Sequence, residues 1–169
     1  LTRSKIGALC INKEETNGGH FNRTYAIDAT LAPLANLTAA AFLAKTETPG
    51  DFTDDHAGYL NVTWLSEGWR IYGEHADFGD DFNPEVGFVN RSAYRHISGR
   101  VLYHLRTEGV DWFREFRPHI SGNSFWSLGG FNESYYVHID NHFAFENGAE
   151  IHLPGWNFTG EGLDAPFQI

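Results

Sequence analysis

Imidazole and carboxylate side chains alternate near the C-terminal end of the sequence. His138, Asp140 and His142 stand two residues apart in a segment of strand-like composition. Successive side chains of a β-strand point to opposite faces, so these three would share one face, with neighbours roughly 6.5–7 Å apart along the strand. Zinc and copper take imidazole and carboxylate ligands. The three residues are therefore candidate metal ligands, and the simpler alternative is a polar sheet face that holds no ion.

A second strand would have to complete such a metal site, because His138 and His142 are twice as far apart as direct neighbours. The i, i+2 spacing recurs at Glu150 and His152, just beyond the pair Asn147-Gly148. Asn-Gly is a typical sequence for a tight hairpin turn. Where the register of that hairpin allows it, Glu150 and His152 would face the first set of candidate ligands.

Carboxylates in the middle of the chain suggest another chemistry. Glycoside hydrolysis takes one protonated acid and one ionised partner, at a separation that selects retention or inversion. The candidates for such a pair are Glu74, Asp77, Asp81 and Glu85. The chain has 22 acidic residues, so proximity of two of them is not diagnostic. A soluble β-sandwich or barrel hydrolase acting on glycans is kept as an alternative function.

The segment from Gly79 to Phe88 is rich in side-chain oxygens and contains one proline. Hard oxygen ligands suit calcium better than a transition metal, but the spacing is not that of a known calcium loop. We favour an ordered turn in which Asp and Asn side chains hydrogen-bond their own backbone and Pro84 stiffens the bend.

Aromatic residues beside polar ones are candidates for stacking on sugars. They make up 15% of the chain, an excess that also suits a membrane-interface girdle or the core of a β-sheet. The four candidates for a carbohydrate-binding surface are Trp64, Trp69, Trp126 and Tyr136.

These candidates lie on segments of about ten residues that alternate apolar and polar side chains and end at Gly, Asn, Asp or Pro. This is the pattern of antiparallel hairpins. We predict an all-β fold, a single domain built as an antiparallel up-and-down meander of nine strands. The predicted strands are about residues 3–12, 21–31, 37–47, 56–66, 69–78, 97–107, 112–120, 133–146 and 149–159. The predicted turns between them include Thr48-Pro49-Gly50-Asp51 and Ser121-Gly122-Asn123. Charged residues inside several strands would have to point to an aqueous lumen if the sheet crossed a membrane.

The segment Gly79 to Phe88, followed by Arg91, Tyr94 and Arg95, resembles a family of bacterial envelope proteins. In that family a large C-terminal region of unassigned function follows a domain similar to family-9 carbohydrate-binding modules. The resemblance implies an outer-membrane-type β-barrel, or a fragment of one, in the outer membrane or periplasm. It offers no catalytic residue. Without the resemblance, the patterning favours a soluble barrel or sandwich.

Composition narrows the classes of partner. The formal charge of the 169-residue chain is -10, which argues against binding to nucleic acid. The single cysteine, Cys10, excludes an intrachain disulfide, and its strand-like setting predicts a buried, inert thiol. No charged leader or apolar signal region follows Leu1, as expected of a mature or excised fragment.

We expect an envelope-associated β-barrel region that binds or passes a carbohydrate-like ligand and needs no cofactor, with calcium or zinc as candidate ions.

Overall fold

The structure, a computed structural model, describes residues 3–50 and 52–163, and its regular elements are all β-strands. No helix in the described part of the chain is long and apolar enough to cross a membrane. The strands are β1 (Lys5–Glu14), β2 (Phe21–Leu34), β3 (Leu37–Glu47), β4 (His56–Leu65), β5 (Trp69–Phe78), β6 (Tyr94–Tyr103), β7 (Leu105–Arg106), β8 (Phe113–Ser127), β9 (Asn132–Phe145), β10 (Glu150–His152) and β11 (Trp156–Glu161).

The strands form one antiparallel sheet in which each strand pairs with the next along the chain. Two of the predicted strands are interrupted. β6 and β7 lie along the same edge of β8, and β10 and β11 lie along the same edge of β9. The eleven segments therefore form a nine-strand meander, which confirms the predicted all-β, up-and-down architecture.

The sheet is open at both ends. β1 pairs with β2 alone, and no ladder joins β1 to β10 or β11 within the described residues. Each strand contacts only its neighbours in the sheet, so no second layer of strands covers either face of the described part. The described part is thus an open sheet and not a closed barrel, and of the two predicted forms only the barrel fragment is compatible with it.

Two local predictions were wrong. Ser121-Gly122-Asn123 lies in the middle of β8 and is not a turn, because Gly122 serves a close backbone approach. A Cβ atom on Gly122 would lie 2.9 Å from the carbonyl oxygen of Tyr136 on β9. Cys10 is exposed and not buried, because it lies on the face of β1 that it shares with Tyr25, and no other described strand covers that face. The predicted turn Thr48 to Asp51 falls partly outside the described residues.

The register divides the sheet into two chemically different faces, since paired residues share a face and sequence neighbours alternate. Apart from Leu9 and Leu65, every exposed large hydrophobic side chain in a described strand lies on one face. We define this apolar face by Ile27, Leu43, Leu60, Val62, Ile97, Val101, Ile120, Ile139 and Phe158. The polar face carries Asn22, Thr24, Asn61, Tyr72, Glu74, His96, Arg100, His119, His138, Asp140 and His142.

Soluble proteins bury most large hydrophobic side chains and expose most polar ones, and this sheet shows the reverse. The buried polar side chains are on the polar face or the strand ends beside it, and Asn22 is the largest fully buried one. Leu60 and Ile97, in the middle of the apolar face, are 45% and 54% exposed. The chain exposes 11621 Å² in total, whereas a soluble monomer of this mass would expose about 8400 Å². The sheet therefore shelters its polar side and presents its apolar side.

Connections at the two ends of the sheet differ in length. At one end they are residues 15–20, 48–55, 79–93 and 128–131, and we call this the loop end. The connections at the opposite end are residues 35–36, 66–68, 107–112 and 146–149, and none of them approaches the length of residues 79–93. The longest connection, residues 79–93, contains the oxygen-rich segment found in the sequence.

Candidate functional site

The polar face gathers imidazoles around one carboxylate. Asp140 lies on β9 opposite His119 of β8, and His142 lies opposite His152 of β10. Ligand atoms of His119, His138 and Asp140 lie within 4.8 Å of one another, and so do those of Asp140, His142 and His152. The predicted alignment of His138, Asp140 and His142 on one face is confirmed. The groups are of the kind that can hold a metal ion.

Asp140 is 5% exposed and is the point on which two imidazoles converge. Its Oδ2 atom lies 3.2 Å from Nδ1 of His152 and 3.3 Å from Nε2 of His142. The backbone N–H of Asn141 donates to its other oxygen at 2.7 Å. Both carboxylate oxygens are thus engaged, and Oδ2 faces two nitrogen atoms from two different strands.

Neighbouring groups fix the orientation of two of the rings. Nδ1 of His142 lies 2.7 Å from Oε1 of Glu150, whose position is in turn held by Arg117. Nδ1 of His138 lies 2.7 Å from Oδ1 of Asn157 on β11. A ring held through Nδ1 presents Nε2, which is the common arrangement for histidine ligands with an outer hydrogen-bond partner.

Sequence reasoning found most of this cluster but missed His119. The hairpin register indeed brings Glu150 and His152 beside His142, as the alternating spacing suggested. His119 lies 19 residues from His138, and a strand predicted to end near residue 120 gave no reason to place it opposite Asp140. Its Nδ1 atom is buried without a hydrogen-bond partner in the described structure. Only the ladder between β8 and β9 reveals it.

The four carboxylates considered for hydrolysis have separate partners. Glu74 lies on the polar face, where the hydroxyls of Tyr59 and Tyr72 donate to it. Asp77 lies on the opposite face of β5, where it accepts a 2.7 Å hydrogen bond from Arg95. Because they lie on opposite faces of β5, Glu74 and Asp77 do not form a carboxylate pair in the described part of the chain.

The other two candidates, Asp81 and Glu85, fasten the long connection to the sheet. Oδ2 of Asp81 accepts from the backbone N–H groups of Thr53 and Asp54 at 3.2 and 3.3 Å. Glu85 accepts from Nζ of Lys13 at 2.5 Å and lies 2.6 Å from Nε2 of His20. These bonds join residues 79–93 to the neighbouring connections at the loop end.

The amide of Asn22 holds the same connection from inside the sheet. Its Nδ2 atom donates to the carbonyl oxygen of Asn83 at 2.8 Å, and its Oδ1 atom accepts from the N–H of Glu85 at 3.2 Å. Gly79 is needed where the connection begins, because a Cβ atom there would lie 1.9 Å from the carbonyl oxygen of Asp54. Phe82 is buried beside Phe78, with ring centroids 6.0 Å apart.

The connection is therefore ordered, as predicted, but by different contacts. The predicted hydrogen bonds from Asp and Asn side chains to their own backbone are replaced by bonds to other segments, because the connection folds back over the strand ends. Asp81 and Glu85 already face N–H groups and a lysine, and three carboxylates of residues 79–88 do not converge in the described structure. The oxygens considered for calcium are not arranged as a cage.

The aromatic candidates for sugar stacking do not form one platform. Trp64 and Trp69 lie on the apolar face beside the short turn at residues 66–68, and the ring of Trp69 packs 4.7 Å from that of Tyr103. Trp126 is on the same face near the loop end, whereas Tyr136 is on the polar face and donates to Asn157. The tryptophans thus border the apolar face at its two ends.

Glu85 gives the attachment of the connection a pH dependence. The hydrogen bonds from Lys13 and His20 hold the pKa of Glu85 below its ordinary value of 4.5. A depressed pKa contributes stability that is present above the ordinary value and is lost as the pH falls through the depressed one. We therefore expect residues 79–93 to loosen below about pH 4.5.

Amide hydrogen exchange at Gly87, whose N–H donates to Pro84 at 2.8 Å, measures this loosening. Exchange corrected for its intrinsic pH dependence should accelerate on acidification in the natural chain. In a Glu85→Gln variant the protection should be low at both pH values. Equal protection of Gly87 in the natural chain on both sides of pH 4.5 would remove Glu85 as the pH-sensitive contact.

Comparisons with protein-family models, curated proteins and solved structures found no match for this chain. The geometry of the two faces and of the Asp140 cluster is therefore the main basis of the functional interpretation.

Proposed function

We propose that this chain is part of an outer-membrane-type β-barrel in a bacterial envelope, with its apolar face against lipid and its polar face lining an aqueous lumen. One observation carries the proposal: the sheet exposes its large hydrophobic side chains and shelters its polar ones. Membrane barrels have this arrangement, since their strands alternate between apolar residues facing lipid and polar residues facing the lumen.

The free energy lost by leaving the apolar face in water supports the proposal. Burying one Leu, Ile, Val or Phe side chain contributes roughly 1.5–3 kcal/mol. The apolar face extends over the whole nine-strand meander without a covering layer, so its exposure to water forfeits on the order of 10 kcal/mol or more. That is comparable to the whole stability of a typical domain. Lipid acyl chains would remove the cost along the entire face.

Charges and aromatic rings are placed as a bilayer would require. On the apolar face, Arg23, Lys45, Asp77 and Arg95 lie toward the loop end, and His75 is the titratable side chain between Leu60 and Ile97. Trp64 and Trp69 mark the opposite border. The main strands have ten to fifteen residues, and about 9–11 tilted residues suffice to cross a bilayer.

The lumen we propose would suit a neutral, hydroxyl-rich solute such as a carbohydrate. The carboxylate of Glu74 on the polar face is engaged by the hydroxyls of Tyr59 and Tyr72 and by His96. Amide, hydroxyl and imidazole groups remain as donors and acceptors for such a ligand. The resemblance of Gly79 to Phe88 to bacterial envelope proteins supports the same compartment, and residues 79–93 would lie at the rim.

The medium in which the chain folds tests this function. We expect a folded, monodisperse β-sheet protein in detergent micelles or phosphatidylcholine vesicles, and aggregation in plain buffer. Circular dichroism and size-exclusion chromatography measure both. A stable, monodisperse monomer in buffer without detergent would overturn the lipid-facing assignment.

A specific observation favours a second function. The polar face brings His119, His138, His142 and His152 around Asp140. Imidazole together with carboxylate is a ligand set for zinc and related divalent ions. We therefore propose divalent-metal binding as a further property of the polar face, to be tested by zinc stoichiometry in the folded protein.

A further inference from the structure

We infer that Asp140, His142 and His152 form a three-ligand site for a zinc-class ion that fastens the short strand β10 to β9. The inference rests on the metal-binding function proposed above and adds the ligand set and a structural role. Two groups of candidate ligands share Asp140. The group with His142 and His152 joins β9 to the short strand β10 at the edge of the sheet.

The distances match a tetrahedral site. With zinc–ligand bonds of about 2.0–2.1 Å, neighbouring ligand atoms in a tetrahedron are about 3.3 Å apart. Oδ2 of Asp140 lies 3.3 Å from Nε2 of His142 and 3.2 Å from Nδ1 of His152. Charge-assisted hydrogen bonds between nitrogen and oxygen are typically shorter, about 2.7–2.9 Å. These two distances suit an ion shared by Asp140 and the two imidazoles, and the ligand atoms of all three residues lie within 4.8 Å of one another.

The contact of His142 with Glu150 leaves the Nε2 lone pair of the ring directed at Asp140. A neutral His142 that donates its Nδ1 proton to Glu150 at 2.7 Å presents an unprotonated Nε2 to the carboxylate of Asp140. Two acceptors that face each other need a cation between them, either a proton or a metal ion. Glu150 acts as a positioning residue because it contacts the ring of His142 through Nδ1, and Arg117 in turn holds Glu150.

β10 is the element that gains most from such an ion. It has three residues, all exposed, and it pairs with β9 only from residue 150 to residue 152. A ladder this short contributes few hydrogen bonds, and an ion that binds His152 together with Asp140 and His142 would cross-link the strand to its neighbour. Metal binding should therefore protect this edge of the sheet.

Zinc titration of the folded chain tests the inference, with calorimetry for affinity and elemental analysis for stoichiometry. We expect one zinc ion per chain. His152→Ala should weaken binding by more than about 100-fold, and Glu150→Gln by about 10- to 100-fold, the range for outer-shell partners. His75→Ala is the matched control, because His75 lies on the apolar face and should leave zinc binding unchanged.

The structural role has its own readout. Zinc should slow amide exchange at Leu153, whose N–H donates to Asn141 at 3.0 Å, in the natural chain but not in His152→Ala. Absence of stoichiometric zinc would remove both the metal function and the fastening of β10. Zinc bound equally well by His152→Ala would keep the metal function, place it at His119, His138 and Asp140, and overturn the inference. His152→Gln replaces His152→Ala if circular dichroism shows that the alanine variant misfolds.

Discussion

Replacing Leu60 by arginine is expected to destabilise the chain in a lipid bilayer by about 2–4 kcal/mol, the cost of an arginine at the lipid-facing midplane of a β-barrel. Leu60 lies in the middle of β4 on the apolar face, between Ala41 and His75. Its side chain is 45% exposed, so nothing in the sheet would shield the new charge. The measurement is equilibrium unfolding of vesicle-inserted protein in urea, followed by tryptophan fluorescence.

Asn61→Arg is the matched control for Leu60→Arg. Asn61 is the next residue of β4, and its side chain lies on the polar face opposite Glu74. An arginine there would meet an aqueous, acidic surrounding, so we expect a change within about 1 kcal/mol. In a soluble protein Leu60→Arg would not be the more destabilising of the two changes, because an exposed leucine can be replaced by arginine at a cost of about 0.5 kcal/mol or less. Equal stability of Leu60→Arg and the natural chain would therefore contradict the lipid-facing role.

The alternation of side chains predicted the architecture well, because a period of two is set by the strand itself. Phe21 to Leu31 was assigned to one strand with two different faces, and β2 has those faces in the structure. The turn predicted at Gly122 was wrong, because the absence of a side chain there allows the backbone of β9 to approach closely within a continuous strand. The interruption between β10 and β11 falls at Pro154-Gly155, a strand-breaking pair that the sequence shows, whereas the interruption between β6 and β7 left no such sign.

The candidate site was predictable only as far as one hairpin reaches. The spacing of His138, Asp140 and His142 placed them on one face, and the Asn147-Gly148 turn suggested that His152 would join them. His119 required the register between β8 and β9, which depends on the whole ladder. The same limit applies to Asn22, whose partners Asn83 and Glu85 are about sixty residues away in the chain.

Asn22→Ala is expected to release residues 79–93 from the sheet and to lower the free energy of unfolding by about 2–4 kcal/mol. The side chain of Asn22 is fully buried and makes two hydrogen bonds to the backbone of the connection. Its removal leaves the carbonyl of Asn83 and the N–H of Glu85 without these part-buried hydrogen bonds, and an unsatisfied group costs roughly 1–3 kcal/mol where water does not reach it. Denaturant unfolding measures the loss of stability.

Asn12→Ala separates this effect from a general weakening of the sheet. Asn12 is exposed on β1 and accepts one hydrogen bond from Arg23, so its loss should cost about 0.5 kcal/mol or less. Limited proteolysis supplies the local readout, since release of the connection should create new cleavage within residues 79–93 in Asn22→Ala alone. Loss of stability without new cleavage there would show that Asn22 supports the strand ends, and would overturn its role as the anchor of the connection.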